Sequence, residues 1–294
     1  MEKYNKIHWV KGLEITPEIL IGSDNYHIAE RNLIGRFAAS RLYGIVPNGK
    51  FQIRKRIDPH TDTLFIDNLA CTAITHDGYV LNIQNDMPFS KEVSLQRETG
   101  TALYGILTVD PYSTTPVDDE NLHISPKYEL VLKGIEEPVE NGIPVLKIYY
   151  DSSNRYWKED ENYIPPSIAL DSVEELKQLC LNIKDKFNHI IKKLPEDNPF
   201  SVQVMLLQLE LESNYLQKSP QELTLLLKKI CWILKLYIKA AKNIDELPVI
   251  KRFIEEQYNH DDLAKSLCLG FESLVKIDQT IDEKPTDEPE EIKI

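Results

Sequence analysis

Between Val173 and Leu194 the chain places an apolar residue at every third or fourth position: Val173, Leu176, Cys180, Ile183, Phe187, Ile190 and Leu194, spaced 3-4-3-4-3-4. A row of this period forms one stripe along an α-helix, and about three heptads of it is the pattern by which helices wind around one another. Two arrangements satisfy it. The row can be the core stripe of its own domain, or a seam shared with sister copies of the chain. We take the seven residues as a candidate oligomer interface. Val, Cys and Phe alternate with Leu, Ile and Ile along the row, a mixture that does not set the number of helices in such a bundle.

The residues after the row keep the helical period. Pro195 stops the first helix, and Asn198-Pro199 starts the next, with proline at the position where its missing N–H is tolerated. Val202, Met205, Leu209 and Leu216 give that second helix an apolar face. Ser219-Pro220-Gln221-Glu222 has the form of a capping box, ahead of a helix that buries Leu223, Leu226, Ile230, Ile233 and Tyr237. Shorter helices are expected from Asp245 to Tyr258 and from Asp261 to Ile277. Asp171 and Glu174 are expected to start the first helix, as an acidic cap and a first-turn acid.

Upstream of Tyr163-Ile164-Pro165-Pro166 the period changes to that of strands. Phe51 to Ile57 alternates apolar and polar residues, and Thr63 to Leu69, Cys71 to Thr75, Tyr79 to Ile83, Leu103 to Val109, Tyr128 to Ile135 and Ile143 to Tyr150 read as further strands. His76-Asp77-Gly78 and Asn141-Gly142 are hairpin signals. A short extended run, Ile7 to Val10, opens the chain, and one helix from about Asp24 to Leu42 follows with Tyr26, Ala29, Leu33, Phe37 and Ala38 on its apolar face. The proline pair removes two backbone donors and holds Ile164 extended, so no ladder or helix passes through it. The expected fold is α+β: a β-sandwich over residues 1–166, a helical bundle over 167–280, and a disordered acidic tail over 281–294.

Net charge is −13, which repels phosphate backbones and anionic lipid surfaces and argues against nucleic-acid or membrane binding. The longest apolar stretch, Leu223 to Ala241, is interrupted by Lys228, Lys229, Lys235 and Lys239 and is not expected to insert into a bilayer. Cys71, Cys180, Cys231 and Cys268 lack metal-ligand spacing, and three of them fall in apolar helical patterns where cysteine acts as a small hydrophobe. No signal-peptide pattern follows Met1. These features point to a reducing, cytoplasmic setting.

No reaction chemistry emerges. Gly44 to Lys50 has the spacing of a phosphate-binding loop, but Phe51 stands where a hydroxyl must hold magnesium, and a helix precedes the loop where a strand should. Asp58-Pro59-His60-Thr61-Asp62 reads as a polar turn between strands, since no distant ligands complete a metal site. The histidines, His123 among them, are scattered. Nucleophile signatures are absent, and acidic pairs such as Asp118-Asp119 have the composition of loops. We expect no enzyme activity and no cofactor.

Several short segments resemble the TssK family of type VI secretion baseplate subunits. Trp9, Gly12, Leu13, Ile15 and Pro17 match its opening motif, although Glu18-Ile19-Leu20 stands where the family usually has Gln-His-Phe. Leu42-Tyr43-Gly44, His76-Asp77-Gly78-Tyr79-Val80 and Tyr163-Ile164-Pro165-Pro166 match later segments in the same order. The resemblance covers roughly residues 5 to 280. It implies a β-sandwich shoulder, a helical neck and a homotrimer, without catalysis. It also implies a cytoplasmic adaptor at the inner-membrane-attached baseplate that binds wedge subunits of the TssG and TssF families. Set against the family, no counterpart of its C-terminal head is expected in residues 1–294, and the resemblance then implies a branch lacking the standard membrane complex or using another envelope anchor protein. Trp9, Leu13 and Ile15 are candidate partner contacts, with core packing the alternative for Trp9. A trimeric phage-like receptor-binding protein and an enzyme of unrecognised type are the rival readings.

Overall fold

The computed structural model describes residues 5–38, 42–84, 89–95, 102–116, 124–135, 137, 142–196, 198–242, 244 and 247–282. Expectations that fall on Asp118, Asp119, His123, Asn141, Asp245 and tail residues 283–294 lie outside them. The chain divides into two compact units, Met1–Ile168 and Ala169–Ile294.

The first unit begins with helix α1 (Pro17–Ala38). Strands β1 (Gly44–Ile45), β2 (Phe51–Asp58), β3 (Thr63–Ile74), β4 (Val80–Ile83), β5 (Lys91–Ser94), β6 (Ala102–Pro116), β7 (Ile124–Gly134), β8 (Gly142–Asp151) and β9 (Tyr156–Glu159) follow. Among the described residues, one antiparallel sheet is organised by β3, which pairs with β1, β2, β4 and β5. Leu64 is shared by β2 and β5, and Ala73 by β1 and β4. The second sheet has the order β7-β6-β8-β9. Strict alternation along β2 buries neither face fully, while β3 turns Leu64, Ile66 and Leu69 into the core. They join Leu107, Ile148 and Trp157 of the second sheet as fully buried side chains. The Tyr128 hydroxyl donates to the Asn82 carbonyl at 3.3 Å, and Lys55 pairs with Glu159 at 2.8 Å, so polar ties also join the two sheets.

Two glycines are required by the joints of this unit. Gly44 has φ +120°, and a Cβ there would lie 2.2 Å from the Pro166 carbonyl oxygen. The close approach lets the Ile45 N–H donate to Pro166 O and the Ile168 N–H donate to Ile45 O, each at 2.9 Å. The Tyr-Gly segment and the proline pair, far apart in sequence, are therefore one joint. Gly78, φ +86°, closes the β3–β4 hairpin, with its N–H on Thr75 O at 2.8 Å. A Cβ on Gly35 of α1 would be 2.6 Å from Gly78 O, and Arg36 of α1 pairs with Asp77 at 3.2 Å. This hairpin turn is what seats α1 on the unit.

The second unit contains α2 (Glu174–Ile191), α3 (Pro199–Glu212), α4 (Pro220–Lys242), α5 (Pro248–Glu255) and α6 (Leu263–Asp282). Its start signals act locally, as expected, at two sites. The Asn198 carboxamide oxygen accepts the Phe200 N–H at 2.9 Å, and Ser219 and Glu222 exchange backbone and side-chain bonds as a capping box. At α2 half of the expectation holds: Glu174 is a first-turn acid, but the N-cap is Val173 with no side-chain cap, and Asp171 Oδ1 is buried without a hydrogen-bond partner. α5 and α6 cross closely at Gly270, where a Cβ would stand 2.9 Å from the Phe253 ring. α2 and α6 are also tied by charge. Asp278 accepts from Lys193 at 2.8 Å, His189 at 3.1 Å and Lys186 at 3.2 Å. Burial pushes the Asp278 carboxyl up, but these three hydrogen bonds outweigh it and hold the group below the usual carboxylate range.

Candidate interaction surfaces

The row from Val173 to Leu194 is buried inside its own unit. Leu176, Cys180, Ile183, Phe187 and Ile190 have no exposed surface, and Val173 and Leu194 are also buried. α6 and α3 cover α2, and the Tyr215 hydroxyl donates to the Cys180 carbonyl. The expected intermolecular seam is thus corrected to an intramolecular core stripe. The physical reason is topological: later helices of the same chain return to cover the row, so no apolar side is left for a sister copy. Burial pushes the thiols of Cys71, Cys180 and Cys231 up to about 12, so these three are held as inert thiols.

Exposed apolar surface lies on α3 instead. From Phe200 to Leu209 that helix carries no charge, and it is apolar on both sides. Val204 and Leu211 face the core, whereas Val202, Met205, Leu206 and Leu209 face outward, with Leu206 61% and Leu209 66% exposed. Of the apolar face read from the sequence, Val202, Met205 and Leu209 lie on the outer side of α3, while Leu216 falls beyond the helix end and is half-buried. The adjacent α4 shows a second stripe, Leu225, Trp232 and Leu236, with Trp232 50% exposed. Patches of this kind mark interaction sites on folded proteins. The α3 stripe ends in Glu210 and Glu212, and Lys229, Lys235 and Lys239 flank that of α4.

The first unit has a comparable inversion. On α1 the buried residue is Asn32, 8% exposed, while Leu33, Ile34 and Phe37 point outward, Phe37 at 77%. Of the apolar face expected for this helix, Tyr26 and Ala29 are half-buried while Leu33 and Phe37 are exposed, because contact with the Gly78 turn near the helix end demands small and polar residues there. Upstream, Trp9 is 51% exposed and Ile15 is exposed, so Trp9 is not a core residue; Leu13 is half-buried. The Leu13 N–H bonds Val10 O at 3.1 Å, with Gly12 at φ +90°, a turn that needs glycine and presents Trp9 and Val10 to solvent.

Asp58 Oδ1 accepts the His60 N–H at 2.9 Å, which organises the β2–β3 turn. Among the described residues, no group of three or more His, Cys, Asp or Glu side chains comes together to hold a metal, and no helix is long and apolar enough to cross a membrane. The Gly44 region forms β1, a strand.

No family model matches the sequence, and no curated protein does either. Solved structures do match. A crystal structure of TssK has a TM-score of 0.59 at 11% identity, covering 94% of this chain and 69% of that one. TssK in a cryo-electron microscopy structure of the type VI secretion TssK-TssF-TssG baseplate subcomplex has a TM-score of 0.58 at 13% identity, covering 94% and 100%. A TssK from EAEC bound to a nanobody has a TM-score of 0.58 at 12% identity, covering 89% and 69%. The chain has the α+β fold of these TssK structures.

Proposed function

We propose that this chain is a structural subunit of a type VI secretion baseplate, a non-catalytic adaptor that self-associates as a trimer and binds TssF- and TssG-like wedge proteins. The observation that carries this reading is the extent of the likeness: both units, 94% of the chain, follow the fold seen in TssK. The surfaces fit such a role. The apolar stripes on α3 and α4 give each copy two adhesive faces, the first uncharged from Phe200 to Leu209 and ending in acids, the second flanked by lysines. When the α3 face of one copy meets the α4 face of the next, the contact is heterologous, and such contacts generate closed rings when the rotation closes. A ring presents the same first unit several times, and repeated weak contacts gain avidity through effective concentration. The seat of the protein is then the cytoplasm, at the inner-membrane-attached baseplate, with an envelope anchor as a further partner.

The test is a mass and a capture. Light scattering is expected to give three times the 34.0 kDa chain mass, and the trimer is expected to retain TssF- and TssG-like wedge proteins from the same system in a pull-down. A monomer at micromolar concentration, or a trimer that ignores the wedge proteins, refutes the assignment.

A further inference from the structure

The first unit holds a cleft of about 710 Å³ between α1, the start of β4 and the irregular stretch of β6. Its lining is largely apolar, with Ile21, Ile28, Val80, Pro111 and Tyr112, and the rim carries Asp24 and Arg31. Asn32 also lines it, more than nine-tenths buried, and its amide oxygen has no hydrogen-bond partner. A buried acceptor left unmet is costly, so the cleft calls for an apolar group that brings an N–H.

The same unit exposes such a group. The segment Asn5–Thr16 has no buried residue, and its glycine turn holds Trp9 and Val10 outward. Tryptophan joins a large apolar body to a single N–H donor. Lys11 and Glu14 on the arm are opposite in sign to Asp24 and Arg31 of the cleft lining. The arm does not fill its own cleft. Ile7 lies beside Gly22 of α1, and the chain runs from there back to Pro17. Asn32 sits about 15 Å farther along the helix, at about 1.5 Å per residue.

We propose that the cleft receives the N-terminal arm of a second copy, with Trp9 entering it and the Asn32 carboxamide, packed under Gly78 in the single chain, turning its unmet Oδ1 to the indole N–H. Each copy then donates one arm and accepts one, a head-to-tail exchange compatible with a closed ring. The proposal rests on the self-association described above and adds a second, separate contact to it.

Mixing two single variants of the full chain tests it. One population carries Val10→Cys and an affinity tag, the other Val80→Cys; both positions are exposed. After exchange and mild oxidation, the expected product is a covalent tagged–untagged pair, absent from wild-type mixtures. Ile15→Cys mixed with Ile21→Cys repeats the test at two other exposed positions. Trp9→Phe in the tagged chain, which removes the N–H and keeps a ring, is expected to weaken arm binding about fivefold. A trimer by light scattering with no mixed product from either pair overturns the arm exchange and leaves the proposed function standing. A wild-type monomer overturns both. Undiminished cross-linking with Trp9→Phe overturns the pairing of Trp9 with Asn32.

Discussion

Replacing Leu206 and Leu209 together by aspartate separates the two roles that an apolar helix can have. Both side chains are about two-thirds exposed in the single chain, at 61% and 66%. Their loss therefore costs the monomer little: about 1 kcal/mol from lower helix propensity and surface substitution combined. If α3 is an intersubunit face, the same side chains become covered in the trimer. Covering a fully exposed leucine is worth about 1.5–3 kcal/mol, so the surface still open here accounts for about 1–2 kcal/mol per leucine, or about 2–4 per contact. Three contacts in a ring bring the loss to about 6–12 kcal/mol, at least four orders of magnitude in the trimer association constant. Light scattering over a range of concentrations reads the mass, and circular dichroism melting reads the fold. The expected result is a folded monomer with nearly the wild-type melting temperature. A trimer that survives the double substitution at low micromolar concentration refutes the assignment of α3 as the interface.

Four further outcomes follow from the same structure. Ile183→Ala, within the buried stripe of α2, is expected to lose about 2–5 kcal/mol in denaturant unfolding, while the protein that remains folded keeps the wild-type mass. Gly44→Ala is expected to cost about 2 kcal/mol or more, because the residue has φ +120° and its new Cβ would collide with Pro166 O; a denaturant midpoint equal to wild type rules that out. The Asp278 carboxyl is held below its ordinary value of 3.8, so its contribution is full above that pH and is lost as pH falls through the lower folded value. Asp278→Asn should accordingly lose less stability on acidification than wild type, as read by melting temperature against pH. Ellman's reagent at pH 8 should leave Cys71, Cys180 and Cys231 unreacted in the native protein, since burial holds these thiols near 12, and should titrate all four cysteines in denaturant.

Local chemistry was legible from the residues alone. The change from strand to helical period, the Asp77-Gly78 turn, the Asn198 cap and the Ser219–Glu222 box depend on neighbours within a few positions, and each stands in the structure where its spacing places it. Short strands were less legible. β1, β5 and β9 are no longer than four residues, and each exists because β3 or β8 offers an open edge, which no local pattern encodes. Two of the separated segments that carry the resemblance, Tyr43-Gly44 and Pro165-Pro166, meet in this structure as halves of one joint with an unusual backbone demand, which spacing in the sequence does not reveal.

The candidate surfaces were legible only in part. Periodicity established that α1, α2 and α3 each have an apolar stripe, since a 3-4 spacing places side chains on one side of a helix whatever surrounds it. Tertiary structure alone decided which stripes are covered. α6 returns over α2 and turns a candidate seam into core, whereas none of the described residues covers Leu206, Leu209 or Phe37. The stripe is a property of the helix, but its burial belongs to whatever packs against it, and that partner can lie about ninety residues away, as Asp278 lies from His189.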